Sequence, residues 1–247
     1  MEEIELLNQK LKQIIPSEKY LQSEMVVSDF KNAISFYPAG KGVYKNVPKF
    51  PKGKIMVVGQ DWGTKSAFDI DLNNDDEKNL KGATWRNIKT LFDEAGINME
   101  WCFFTNAIMG LRSGDKILGK SPAFKKENKP FLELCRQFFV EQLNVCEPKI
   151  IIALGSFVPL FLHAFFEKDN FDFFSKVRSF KEIDVNNKSV LLNVQLANYS
   201  QKVNVIFLTH PSLYFVNVRY RKYHDLKEMP AEIEMIRDGL KSKINLS

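Results

Sequence analysis

The chain has 247 residues, of which 45% are apolar and 26% charged. That composition excludes a disordered chain, which buries too little apolar surface to offset chain entropy, and a chain of this length buries on the order of 70–75% of its unfolded surface, so its core needs no disulfide or metal. The 35 basic and 30 acidic residues leave a net charge of +5, which permits a polyanionic partner without requiring one.

The first residues, MEEIELLNQKLKQII, set Ile4, Leu7, Leu11 and Ile14 at helical spacing and predict an amphipathic helix over 2–15. The stretch lacks the pattern of a signal peptide, and no window approaches the ~18 consecutive apolar residues of a membrane span. A soluble, cytoplasmic protein with no membrane partner is expected. Length predicts one α/β domain over 1–247, with residues 1–35 as a helical N-terminal extension. Residues 37–54 form a Gly- and Pro-rich loop with five lysines and no acid from Lys41 to Lys54. It reads either as a solvated loop or as a phosphate contact.

IMVVG (55–59) is a continuous apolar run, as expected of a parallel strand buried on both faces. Residues 60–82 read as a long polar loop. A helix is predicted over 84–95, with Thr84 as its cap and Gly96 at its exit. WCFFTNA (101–107) is the second buried strand. A basic loop follows over 110–130, with Arg112, Lys116, Lys120, Lys125, Lys126 and Lys129. Pro130 opens a helix to 145 that turns Phe131, Leu134, Cys135, Phe138 and Leu143 inward.

KIIIALG (149–155) is the third buried strand, and Ser156 is expected to open a helix through Phe166. Residues 167–188 look less regular. VLLNVQL (190–196) and NVIFLTH (204–210) read as strands, and Met229, Ile233, Ile236 and Leu240 mark a helix over 228–243. The alternation predicts a three-layer α/β/α fold around a central, mostly parallel four-stranded sheet. Cys102, Cys135 and Cys146 are odd in number and irregularly spaced, which fits buried thiols in a reducing compartment better than a disulfide framework.

In such a fold ligands bind beyond the carboxyl ends of the strands. Gly59, Gln60 and Asp61 follow the first strand, Thr105 and Asn106 end the second, Gly155 and Ser156 follow the third, and His210, Pro211 and Ser212 follow the last. A parallel sheet therefore brings an Asp, an Asn and a His to one edge, a set holding a charge stabiliser, an amide reader and a hydrogen-bond donor. Singly, each has a plain reading: Asp61 as a cap, Asn106 as a turn residue, His210 as a satisfied histidine beside a proline. No nucleophile elbow, Walker loop or dinucleotide fingerprint points to another α/β enzyme class.

Four segments carry a resemblance. GQDWG (59–63), FFTNAIMGLRSGD (103–115), IIIALGS (150–156) and LTHPSLYFVNVR (208–219) resemble, in order and rough spacing, the motifs of the uracil-DNA glycosylase superfamily over about residues 55–220. The resemblance implies a DNA-repair enzyme that flips a damaged nucleotide from the duplex and hydrolyses its N-glycosidic bond. It implies Asp61 and His210 as catalytic residues, the first supporting the sugar cation and positioning water, the second donating to the leaving base. It places Gln60, Asn106, Gly63 and Phe68 around the base, with Asn106 reading the pyrimidine edge. It places Ser156, Ser212, Leu213 and Arg219 on the DNA, with Leu213 or Tyr214 as an apolar wedge and Arg219, Arg221 and Lys222 on phosphates.

Two departures carry expectations. Gly63 stands where the best-known branch has a Tyr that blocks the thymine methyl, so a pocket more open to 5-substituted pyrimidines is expected. Some branches bind an iron–sulfur cluster through four cysteines, but this chain has three and no Cys-x-x-Cys pair, so no cluster, metal or other cofactor is expected. A monomer acting on DNA containing a damaged base is the expected form. A catalytically silent nucleic-acid-binding member of the same fold is the alternative.

Overall fold

Four parallel strands and one antiparallel edge strand make the sheet: β1 (Ile55–Gly59), β2 (Cys102–Asn106), β3 (Ile150–Leu154), β4 (Val190–Gln195) and β5 (Lys202–Leu208), in the order β2-β1-β3-β5-β4. The protein is seen in a computed structural model that describes residues 2–15, 35–38, 40, 50–73, 76–112, 114, 119–177 and 179–241. Every residue of β1, β2 and β3 is buried, as their apolar runs require, and the burial extends to the polar Thr105 and Asn106 that end β2. Successive side chains alternate between two cores. Met56, Val58, Phe103, Ile151 and Phe207 join one; Val57, Phe104, Ile152, Ile206 and Leu208 join the other.

The first core lies under α1 (Glu2–Ile14), α5 (Lys129–Cys146) and α6 (Val158–Leu162), and the second under α4 (Ala83–Ala95), the short α9 (Tyr214–Asn217) and α10 (Glu228–Lys241). The N-terminal helix is part of this packing. Leu7 and Leu11 are buried against the first core, α1 rests on α5, and Tyr37 Oη donates to Asn8 Oδ1 at 2.9 Å. All three cysteines are free and buried, and no helix among the described residues is long and apolar enough to cross a membrane.

Several expectations change. The sheet has five strands rather than four, because β4 adds an antiparallel edge. Residues 60–82 are not one loop. They hold α2 (Lys65–Asn73) and α3 (Asp76–Lys81). Thr64 Oγ1 accepts the Ala67 N–H at 3.4 Å and Lys65 pairs with Asp69 one turn on, which supports a helix that the polar composition hides. Residues 167–188 hold α7 (Lys168–Lys176) and α8 (Phe180–Val185). There Ser179 Oγ accepts the Glu182 N–H at 3.3 Å, a cap written in the sequence as Ser-x-x-Glu. The cap of α4 is Gly82, not Thr84, while Gly96 ends it with φ 83° as expected. Ser156 lies in the turn ahead of α6, whose cap is Phe157.

The basic loops divide. Residues 41–49 and Lys116 fall outside the described residues, as does most of the 1–35 extension beyond α1. Lys52 pairs with Glu147 at 2.8 Å and Lys54 lies over the Trp101 ring at 5.4 Å.

Candidate active site

The register fixes where the strands end. Gly59 lies opposite Asn106 and Leu154 opposite Leu208, so the four parallel strands finish level, and the segments beyond them line one cavity of about 1430 Å³. Gln60, Asp61, Gly63, Asn106, Ser156, His210, Ser212, Leu213 and Arg219 all line it. Phe68 does not. It lies behind the wall, edge-on to Trp62 at 6.2 Å between centroids. The aromatic that does reach the cavity beside Gly59 is Phe36, from a segment that bridges to the edge of β2 at Tyr37 and Thr105. It went unseen in the sequence because its contact with β2 spans almost seventy positions.

Asn106 is 3% exposed, and its side-chain amide has no hydrogen-bond partner among the described residues. A β-carbon at Gly59 would stand 2.3 Å from Asn106 Oδ1, so glycine is what lets this amide lie across the end of β1. Asn106 lines the cavity, so this amide stands where a ligand can meet it.

Asp61 is held from three directions. Arg112 Nε donates to both carboxylate oxygens at 3.1 and 3.0 Å, the Gly63 N–H donates to Oδ1 at 3.0 Å, and Gln60 Nε2 lies 3.5 Å from Oδ2. The side chains of Arg112 and Asp61 are 5% and 3% exposed. Arg112 also donates to the Gly119 carbonyl at 2.9 Å, which Gln60 Nε2 shares at 3.1 Å. Arg112 thus belongs to the site. Its loop reads as basic in the sequence, but nothing there couples it to a residue 51 positions earlier.

His210 follows β5 and caps the short 3-10 turn Pro211–Leu213. The Ser212 N–H meets its Nδ1 at 3.2 Å and the Ser212 hydroxyl lies 2.7 Å from the same atom. A backbone N–H can only donate, so Nδ1 accepts, and the proton of the neutral ring sits on Nε2. Burial lowers the imidazole pKa, the Arg112 charge lowers it further, and Asp61 opposes both. The ring is therefore held neutral with Nε2–H as its donor. Gly155, at φ 93°, gives the ring room: a β-carbon there would stand 3.3 Å from His210 Cβ and 3.4 Å from Cδ2.

The residues on either side of His210 are clamped. Glu232 on α10 accepts from the Thr209 N–H at 2.7 Å and the Thr209 hydroxyl at 3.1 Å, and Asn87 on α4 donates to the Pro211 carbonyl at 2.7 Å. Burial raises the Glu232 carboxyl pKa, and the Arg221 guanidinium, 2.7 Å away, offsets that. Arg221 corrects an expectation. It is fully buried between Glu232 and Asp184, donates to the Phe207 carbonyl, and is not free to meet a phosphate. Tyr214 is buried in the second core, which leaves Leu213, 39% exposed, as the side chain at the wedge position. The Arg219 guanidinium stacks on the Tyr220 ring at 4.7 Å.

A doubly flanked, mostly parallel sheet with Asp, Asn and His beyond its carboxyl edge describes an α/β protein with its ligand cavity at the strand ends. A model of the uracil DNA glycosylase superfamily matches residues 48–233, and the chain belongs to that superfamily. The match begins after α1 and the 35–37 segment, both of which pack into the same body. A search among curated proteins finds no match.

Proposed function

We propose that this protein excises uracil or a related damaged pyrimidine from DNA by hydrolysing the N-glycosidic bond and leaving an abasic site. The observation that carries the reading is the Asn106 amide, buried and without a partner among the described residues, in one cavity with Asp61 and a neutral His210. The target nucleotide must leave the stack to enter such a cavity. Asn106 then accepts from uracil N3–H and donates to O4, a pattern that cytosine reverses.

As the bond from C1′ to N1 breaks, its electron pair moves into the base and its negative charge gathers on O2. His210 Nε2–H is the donor that stabilises this anion. The sugar becomes cationic at C1′, and the Asp61 carboxylate supplies the opposing charge. Water adds to C1′ and its proton passes to Asp61 or to solvent. Arg112 binds both oxygens of Asp61 and so holds the carboxylate where it opposes the forming cation.

Leu213 fills the gap left in the duplex, and Ser156, Ser212 and Arg219 bind flanking phosphates. The protein works as a cytoplasmic monomer without a metal or other cofactor. The test is direct detection of the free base: incubation with a single-uracil oligonucleotide releases uracil while the phosphodiester chain stays intact. Loss of no base from uracil or any modified-pyrimidine substrate contradicts the reading.

A further inference from the structure

Glu232 stands on the buried face of α10, wholly out of water, among Ala231, Met235, Ile236, Gly239 and Leu240. A buried ion pair is often no more stabilising than apolar side chains of the same volume, so stability does not account for a carboxylate there. Its contacts do. The Thr209 N–H and Arg221 Nη1 each donate to Oε1 at 2.7 Å, and the Thr209 hydroxyl donates to Oε2 at 3.1 Å. Thr209 is the residue before His210, just past the end of β5, where the strand ladder no longer holds the chain.

The helix that carries Glu232 is itself fixed on the strand. Asn204 Nδ2 donates to the Gly239 carbonyl at 2.7 Å, and a β-carbon at Gly239 would stand 2.4 Å from Ile206 Cδ1, so glycine lets α10 lie close on β5. About two turns back along the helix, Glu232 reaches beyond the strand end. Arg221 anchors the carboxylate from behind. Its Nη2 donates to the Phe207 carbonyl at 2.8 Å and to Asp184 Oδ1 at 3.1 Å, and its Nε donates to Asp184 Oδ2 at 3.1 Å. One guanidinium thus ties residue 221 back to β5 across the segment that carries His210, Ser212 and Leu213. Ser212 turns the imidazole, but the backbone at Thr209 and Pro211 sets where the ring stands, and these two are held by Glu232 and by Asn87.

We propose that Glu232, anchored by Arg221, is a positioning residue for base release: it fixes Thr209 and thereby holds His210 Nε2–H where the departing base gathers its charge. The proposal rests on the base-excision reading and touches substrate only through His210.

The experiment compares release of uracil and of 5-fluorouracil from otherwise identical oligonucleotides by wild type, Glu232→Met and Glu232→Gln. Methionine keeps the volume and removes both bonds to Thr209. Glutamine can keep Oε1 on the Thr209 N–H and Arg221 while its amide donates to the Thr209 hydroxyl. A displaced donor costs about a hundredfold in kcat on uracil and leaves KM within threefold, because the bond it weakens forms only in the transition state. Fluorine withdraws charge from the leaving anion, so the loss on 5-fluorouracil is at least fivefold smaller. Glu232→Gln recovers most of the rate. Equal losses on the two bases overturn the proposal, since a partly unfolded protein would penalise both alike. A loss carried by KM overturns it too, as does a glutamine variant no faster than the methionine one.

If Glu232→Met does not fold, Thr209→Val takes its place: it removes the hydroxyl bond alone, and the same preference for 5-fluorouracil is expected on a smaller loss, with equal losses again overturning the proposal. If wild type does not release both bases, the base-excision reading is judged separately and the His210 imidazole ¹⁵N spectrum decides. A folded Glu232→Met or Thr209→Val variant whose Nδ1 resonance moves away from that of wild type supports the positioning role, and an unchanged resonance overturns it.

Discussion

Arg112 Nε reaches both oxygens of the Asp61 carboxylate, at 3.1 and 3.0 Å, in a pair almost wholly shielded from water. Breaking a buried pair from one side leaves an uncompensated charge and costs about 3–5 kcal/mol. Arg112→Met and Asp61→Asn are each expected to destabilise the fold on that scale. The double variant should lose less than the sum of the two, since neither charge is stranded. Urea unfolding of the four proteins checks this. Strict additivity would mean that the two side chains do not depend on each other.

The His210 ring gives a prediction in pH. Its folded pKa lies below the ordinary 6.5. The unfolded chain therefore binds the proton more readily, and the share of stability that rests on the neutral ring is present above about pH 6.5 and lost as pH falls below it. Protonation also removes the lone pair that accepts from the Ser212 N–H. Imidazole ¹⁵N spectra are expected to show the Nε2–H tautomer at pH 7.5 and a titration midpoint below 6.5. A midpoint above 6.5, or the Nδ1–H tautomer, contradicts the arrangement.

Gly59 and Asn106 are coupled by contact. A β-carbon at Gly59 would sit 2.3 Å from Asn106 Oδ1, so Gly59→Ala has to displace the amide. Loss of a reader bond worth about 1–3 kcal/mol corresponds to roughly a 5–150-fold fall in kcat/KM on uracil. Gly59→Ala/Asn106→Ala should be no slower than Asn106→Ala alone. A further fall in the double variant would place the defect elsewhere in the site.

Gly63 lines the cavity with φ 82°, a backbone conformation that glycine adopts freely and a tyrosine does not. The wall therefore cannot be closed by substitution at this position without moving the chain. Uracils carrying a small 5-substituent are expected to be released at rates within about tenfold of uracil itself, a modest difference for one extra group in a pocket. Cleavage of uracil opposite guanine with no detectable release of any 5-substituted uracil would refute this.

The parts of the site that the sequence reveals are those carried by strand ends. Asp61, Asn106 and His210 each follow a buried apolar run, and a parallel sheet brings such ends together whatever the loops do. The clamps around them are long-range and leave no local mark. Glu232 lies on the buried face of α10 yet looks in sequence like any helix carboxylate. Arg221 sits between two basic neighbours, Tyr220 aside, and reads as a phosphate contact, although it is the most deeply buried cation in the described structure. Polar helices were the other gap. The described residues of α2 and α3 bury few side chains, so periodicity is faint there and the Thr64 cap is the local mark of α2, as the Ser179 cap is of α8.

The most direct measurement is a strand-break assay on a labelled single-uracil oligonucleotide, single-stranded and in duplex, treated with alkali after incubation with wild type, Asp61→Asn or His210→Ala. Breaks at the uracil with wild type, falling by at least a hundredfold in each variant while circular dichroism shows both folded, are the expected result. Breaks that persist undiminished in either folded variant would contradict the roles given to that residue, and a wild type that makes no abasic site in uracil or any modified-pyrimidine strand would contradict base excision itself.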